Sequence, residues 1–164
     1  FEVVISKHRQ CIYCGQCLTR CPVGAFAEKD ATKAVEKALK NKKKIVVFQF
    51  APAIRTSVGE EFGMKLGEVA TGKLVSAIRA LGCDYVFDVS VGADFTTYEE
   101  ASELLEKLTA SKPQLLLSSC CPSWVRFLEL YYPEFVGNLS HARPPHIISG
   151  GLIKTYFAQK RNHN

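Results

Sequence analysis

No apolar run in these 164 residues approaches the roughly 18 needed to cross a bilayer; the most apolar stretch, 45–54, is interrupted by Gln49 and Pro52. The first ten residues also lack a long apolar core, so they do not read as a secretory signal. There is no internal repeat and no low-complexity segment. With 47% hydrophobic and 23% charged residues, the composition excludes intrinsic disorder, a collagen-like chain and a coiled coil. A soluble globular chain is expected, one domain or one domain with a small appendage. It opens on Phe1, not Met, and stops at Asn164 just beyond an amphipathic segment, as a piece cut from a longer protein would. The net charge is +5, and the densest basic run holds Lys37, Lys40, Lys42, Lys43 and Lys44 with no acidic residue among them. No aromatic is interleaved there, so the run reads as a solvated face and not as a nucleic-acid surface. Docking of an acidic redox partner is the minor alternative.

Cysteine is what the chain does have. Of seven, four are close together (Cys11, Cys14, Cys17, Cys21), two are adjacent (Cys120, Cys121) and Cys83 stands alone, where a core position is expected. An odd number in metal-ligand spacing argues against a secreted disulfide framework and for a reducing compartment. Cys11-x2-Cys14-x2-Cys17-x3-Cys21-Pro22 has the spacing of bacterial ferredoxins, which hold [4Fe–4S] clusters. Structural zinc usually pairs two knuckles across a longer gap, and a thioredoxin-type pair needs only two cysteines. In two-cluster ferredoxins the fourth cysteine of such a run serves the other cluster. Either Cys21 closes a single cluster with Cys11, Cys14 and Cys17, or a partner quartet lies before Phe1.

Beyond this module, residues 1–29, the pattern is α/β over 30–164. Asp30 can cap a short helix carrying Val35, Ala38 and Leu39. Strands are expected at 45–50, 85–91 and 115–117. Between them fall a helix with the stripe Leu74, Ala77, Ile78, Leu81 and another opened by Thr96 or Thr97 with the stripe Ala101, Leu104, Leu105, Leu108. Pro122 starts a further helix that Pro133 stops, and a last one covers 147–160, weakened at its start by Gly150 and Gly151. Strands separated by helices predict a parallel sheet with flanking helices, whose ligands gather at the carboxyl ends of the strands. Those ends are Ala51-Pro52-Ala53, Gly92-Ala93-Asp94 and Ser119-Cys120-Cys121. If the three strands are neighbours, they converge at one rim. Gly67-x4-Gly72-Lys73 half-matches a phosphate loop, but Leu74 stands where Ser or Thr is required.

On its own, Ser118-Ser119-Cys120-Cys121-Pro122-Ser123-Trp124 reads as two buried, inert cysteines at a strand end. Together with the ferredoxin quartet, Ala51-Pro52-Ala53, Gly92-Ala93-Asp94, Glu99-Glu100-Ala101, Tyr132-Pro133-Glu134 and Lys154-Thr155-Tyr156, it resembles the [FeFe]-hydrogenase family from Cys11 to Tyr156. The resemblance implies reversible H2 formation at an H-cluster, a cubane bridged to a two-iron unit carrying CO and cyanide. It further implies a ferredoxin or other redox carrier as partner, and a cytoplasmic or hydrogenosomal location. It makes Cys121 one of four cubane ligands, Cys120 the thiol that exchanges protons with the two-iron unit, and Glu100, Glu103 and Ser140 the rest of the proton path. Ala51 and Pro52 match the loop packed on that unit. Glu100 and Glu103 are neighbours at i, i+3 on a helix surface. From the leucine stripe, Glu100 is expected partly buried and Glu103 further out. Ala53, Pro144 and His146 depart from the family's Ser, Ser and Gln, the mark of a divergent branch, and His146 is expected near a diatomic ligand or capping the last helix. The family's other cubane ligands lie in downstream motifs, so the chain as given is expected to be inactive alone. An electron-transfer or sensory relative, or an iron–sulfur assembly scaffold, is the alternative.

Overall fold

The computed structural model describes residues 10–162, and the chain divides into two compact units. One takes the residues up to Ala31 together with Glu100–Ala142; the other takes Thr32–Glu99 and the chain from Arg143 onward.

In the latter unit, α2 (Thr32–Leu39) leads to β1 (Val47–Phe50), which pairs in parallel with β2 (Tyr85–Asp88) from Val47–Tyr85 to Phe50–Asp88. A parallel pair needs a crossover connection. It is made by α3 (Ile54–Ser57), a 3-10 turn (Val58–Phe62) and α4 (Thr71–Ala80). The stripe on α4 does what its spacing predicts. Ile78 joins Phe50 and Cys83 in the buried cluster, and Leu74, Phe48 and Val86 pack against it. Leu81 falls at the C-cap and stays exposed, while Gly82, at φ +101°, takes the left-handed turn into β2. Cys83 is a core thiol as expected; burial, and then the nearby charge of Asp84, push its pKa up and keep it unreactive. The lysines of 37–44 are exposed.

Three expectations are corrected here. The second strand ends at Asp88, not 91, because Asp88 Oδ1 accepts from the Ser90 amide (2.9 Å) and α5 (Ser90–Thr109) begins at once. Gly92-Ala93-Asp94 is therefore the first turn of a helix, and Thr96 lies inside it, buried, its hydroxyl between the Gly92 carbonyl (3.1 Å) and the Arg143 carbonyl (3.0 Å). Glycine is required at 92: a Cβ there would run into the Pro145 carbonyl oxygen and the Ser149 hydroxyl. The last helix starts earlier than expected, as α7 (Pro145–Leu152), and passes through a π turn (Ile153–Phe157) into α8 (Ala158–Lys160). Gly150 and Gly151 lie within α7, and Phe157 stands edge-on to Tyr85 (4.9 Å) and Phe87 (5.0 Å) of β2.

The other unit contains α1 (Gln16–Arg20), the later turns of α5, α6 (Pro122–Tyr131) and a 3-10 turn (Pro133–Asn138). Pro122 occupies the first turn of α6 and Pro133 follows its end, as read from the sequence. The strand expected at 115–117 does not form. Among the described residues the sheet has two strands, and Leu117 makes only an isolated parallel bridge to Leu139. Its amide donates to the Asn138 carbonyl (2.8 Å) and its carbonyl accepts from the Ser140 amide (2.7 Å). The ends of β1 and β2 are neighbours, and Cys120-Cys121 follows the Leu117–Leu139 bridge. Among the described residues, no helix is long and apolar enough to cross a membrane.

Candidate cluster-binding and proton-transfer sites

Cys11 and Cys14 lie on the segment before α1, Cys17 lies within α1 and Cys21 is its C-cap. Tyr13 (φ 56°) and Gly15 (φ 78°) adopt left-handed backbone between the first three cysteines, and Gly24 (φ 59°) does so after the fourth. The winding aims backbone amides at sulfur: the Tyr13 amide at Cys11 Sγ (3.4 Å) and the Ala25 amide at Cys21 Sγ (3.2 Å). The Cys21 thiol is held below its ordinary value, first by the Ala25 amide and then by that of Val23, with burial opposing weakly and the Phe26 and Gly24 amides adding to the lowering. A hydrogen bond to the thiolate favours the form that ligates metal. Cys11 and Cys21 are half-buried and Cys14 and Cys17 exposed, all four as free thiols. Among the described residues no three His, Cys, Asp or Glu side chains stand close enough to hold one metal ion. A [4Fe–4S] cluster takes four cysteine thiolates, and this donor set, with amides already directed at two of its sulfurs, fits it.

The second site is built on α5 and on the two segments that cross it, 117–121 and 138–142. Ser119 fastens them together, its hydroxyl donating to the Ser140 carbonyl (2.8 Å) with the Ala142 carbonyl second at 3.3 Å. Cys120 and Cys121 are both exposed, not buried. Cys121, in extended backbone, is the residue before α6. Ser118 stands between Cys120 and Glu100: its hydroxyl is 3.8 Å from Cys120 Sγ and 2.8 Å from Glu100 Oε1.

One turn along α5, Glu103 gathers a second group. Ser140, only 6% exposed, donates its hydroxyl to Glu103 Oε2 (2.8 Å) and accepts from the Ala142 amide (3.1 Å). The His141 amide also donates to Oε2 (3.1 Å), its Nδ1 lies 3.0 Å from Oε1, and Lys107 Nζ lies 4.0 Å from that oxygen. Burial raises the Glu103 carboxyl, but the Ser140 hydroxyl and the His141 ring, amide and charge outweigh it, leaving it below the ordinary carboxylate value. The ionised form thus contributes stability above the carboxyl's ordinary value, and the contribution is lost as pH falls through the lowered folded value.

The leucine stripe misjudged which way this helix faces. Leu104, Leu105 and Leu108 are 41%, 63% and 54% exposed, whereas the Glu103 side chain is 17% exposed. The hydrogen-bonding face meets the crossing segments and the leucines point outward. Glu100 is half-buried as expected; Glu103 is not the outward one.

In the unit of β1 and β2, Ala51 and Pro52 leave β1 exposed, their carbonyls accepting from the Ile54 amide (3.1 Å) and the Arg55 amide (3.2 Å). Arg55 reaches back to Ser90 Oγ (2.8 Å) and Asp88 Oδ2 (3.5 Å), tying this turn to the start of α5. His146 does not cap α7: it lies within the first turn, exposed, with its carbonyl accepting from the Gln49 amide group (3.2 Å). Sequence reasoning missed Ser118, Ser119 and His141. The two serines stood inside the motif, but nothing in their spacing marks partners 18 and 21 residues away.

A ferredoxin-spaced cysteine segment, followed in sequence by a small parallel sheet with flanking helices, defines an iron–sulfur protein of α/β architecture. Residues 8–27 match the 4Fe-4S binding domain, and residues 44–164 match the iron only hydrogenase large subunit, C-terminal domain. The chain belongs to the iron-only hydrogenase family. It is 41% identical over 154 residues to an NADP-reducing hydrogenase subunit of Solidesulfovibrio fructosivorans, covering 90% of this chain and 26% of that protein. With iron hydrogenase 1 of Clostridium pasteurianum it shares 46% over 136 residues, 83% of this chain and 24% of that protein. The structure of an apo [FeFe]-hydrogenase from Chlamydomonas reinhardtii matches at TM-score 0.75 and 34% identity, over 82% of this chain and 35% of that one. A cytosolic Fe-S cluster assembly factor of Danio rerio is 35% identical over 123 residues, 72% of this chain and 30% of that protein. The chain spans about a quarter of the length of the two hydrogenases.

Cys120 and Cys121 are the last two cysteines of this sequence, and two thiols are fewer than the four a cubane takes. These residues do not make a complete H-cluster site.

Proposed function

We propose that this chain is the electron-receiving and proton-delivering part of an [FeFe]-hydrogenase that forms and consumes H2 reversibly. The boundary between its ferredoxin-like module and its catalytic part falls near residue 30. Cys11, Cys14, Cys17 and Cys21 hold a [4Fe–4S] cluster, which when bound supplies one-electron transfer from a ferredoxin or similar carrier. Cys121 holds one corner of the catalytic cubane of the whole protein, and Ala51 and Pro52 line its two-iron unit. Cys120, Glu100, Ser140 and Glu103 carry protons. The cysteine count and spacing support a reducing compartment, the cytoplasm or a hydrogenosome.

The observation that carries this reading is Ser118, whose hydroxyl lies within reach of both the Cys120 thiol and the Glu100 carboxylate. A thiol, a hydroxyl and a carboxylate in sequence let a proton leave Cys120 as another reaches Glu100. A scaffold that only holds clusters has no use for that sequence. The similarity to the assembly factor supports the second reading, an iron–sulfur assembly role without H2 turnover.

Two experiments test the proposal. Reconstituted anaerobically with iron and sulfide, the chain binds one [4Fe–4S] cluster at the quartet, seen by EPR of the reduced protein and lost on Cys17→Ala; a stoichiometric colourless zinc complex would refute this. The full-length protein, matured with its two-iron cofactor, evolves H2 from a reduced carrier and shows CO and cyanide infrared bands. A cluster-loaded protein with neither bands nor H2 would overturn the hydrogenase reading in favour of an electron-transfer, sensory or assembly role.

A further inference from the structure

Glu103 has more partners than a relay ending at a carboxylate needs. Ser140, on its inner side, is nearly fully covered, whereas His141, on its other side, has a side chain 91% exposed with Nδ1 held 3.0 Å from Glu103 Oε1. The two carboxylate oxygens are divided: Oε2 accepts from Ser140 and Oε1 faces the histidine ring. A buried hydroxyl and a solvent-exposed imidazole thus meet on opposite oxygens of one carboxylate. Histidine is the side chain that ordinarily takes up and gives back a proton between pH 5 and 8.

We propose that His141 takes protons from water at Nε2 and passes them from Nδ1 to Glu103 Oε1, serving as the solvent-side station of the relay. This rests on the proton-relay reading of Glu100, Glu103 and Ser140.

The step balances. A neutral ring with its proton on Nδ1 gains a second proton from water at Nε2, and the imidazolium then gives its Nδ1 proton to Oε1. The protonated carboxyl turns about its Cγ–Cδ bond and brings that proton to the Ser140 side, where the Ser140 hydroxyl accepts it and gives its own proton on towards Glu100. The ring, now protonated on Nε2 alone, returns to its first tautomer by exchange with water. For H2 oxidation the same moves run outward. The groups facing Glu103 are the Ser140 hydroxyl, the His141 amide and ring, and the Lys107 ammonium at 4.0 Å. Lys107 offers a fixed charge on the helix itself, with a side chain 14% exposed, and the histidine is the group that reaches water. Hydrogen bonds from Ser140 and His141 keep the carboxyl ionised at neutral pH, so it stands ready as the acceptor.

The test uses the full-length holoenzyme with His141→Ala and His141→Gln. Glutamine can still hydrogen-bond Glu103 but cannot relay. Both variants should lose about tenfold of H2 turnover per cofactor at pH 8, less than the ~10²–10⁴ of a group at the reacting atom, because water does part of the work. The loss should shrink towards pH 6, where free protons are more abundant, and added imidazole should restore the alanine variant. A second readout is independent of turnover. After a downward pH jump, the protonated-carboxyl infrared band that Glu103→Gln removes should rise about tenfold more slowly in both His141 variants. If His141→Gln keeps wild-type turnover and band kinetics, the ring only positions Glu103 and the proposal is wrong. If both His141 variants match wild type while Glu103→Gln loses turnover, His141 is not a station but the relay stands. If Glu103→Gln and Glu100→Gln also keep full turnover, the relay reading falls and this proposal with it.

Discussion

Cys120→Ser should lower H2 turnover per cofactor by about 100-fold, about 2.7 kcal/mol on the barrier, with iron content unchanged. The size of the loss follows from acidity. A thiol ordinarily ionises near pH 8.5, whereas an alcohol keeps its proton far above that, so serine donates from the same place with a much larger penalty. The intact cofactor follows from geometry. Cys121 is in extended backbone ahead of α6, and successive side chains along extended backbone point to opposite sides. The thiol of Cys120 is turned towards Ser118, 3.8 Å away, and under the proposed function the metal position belongs to its neighbour. The measurements are H2 evolution, iron content and the CO and cyanide infrared bands of the full-length protein. Loss of iron in Cys120→Ser would make Cys120 a ligand, and unchanged turnover per cofactor would remove it from the proton path.

How far the sequence could be read depended on whether a signal was local. The turn chemistry of Pro122, Pro133 and Gly82 acts within a few residues, and each marks the boundary it was expected to mark. The stripe on α4 found its core through Ile78 because a sheet covers it. The same kind of stripe on α5 failed: Leu104, Leu105 and Leu108 define a helix, but which face is covered depends on segments 15 to 40 residues further along. The strand expected at 115–117 has apolar residues enough, yet its partner offers one bridge, at Leu139. The capping pattern at Thr96 points to too late a start for α5, because the Asp88–Ser90 turn already begins the helix. The cysteine spacing was legible because it is local in sequence, and residues 8–27 match the 4Fe-4S binding domain. Ser118 acquires meaning only when α5 brings Glu100 beside it, and His141 only when Glu103 does.

Glu100→Gln separates hydrogen bonding from proton transfer at the station next to Cys120. The amide oxygen of glutamine can accept the Ser118 hydroxyl as Glu100 Oε1 does at 2.8 Å, so the crossing segments stay fastened to α5 and cofactor binding is retained. An amide has no accessible protonated and ionised pair, so a proton arriving through Ser118 has nowhere to go. Turnover per cofactor should fall about 100-fold, similar to Cys120→Ser. The double variant should be little worse than either single one, since residues in one relay do not contribute additively. Ser118→Ala provides the contrast. It leaves both proton-exchanging ends in place and opens room for a water, which can replace a hydroxyl bridge at small cost, so a loss of about tenfold or less is expected. H2 evolution per cofactor in the four variants decides the matter. Losses for Cys120→Ser and Glu100→Gln that multiply in the double variant would mean two separate proton routes, and a Ser118→Ala loss as large as that of Glu100→Gln would make the hydroxyl itself indispensable.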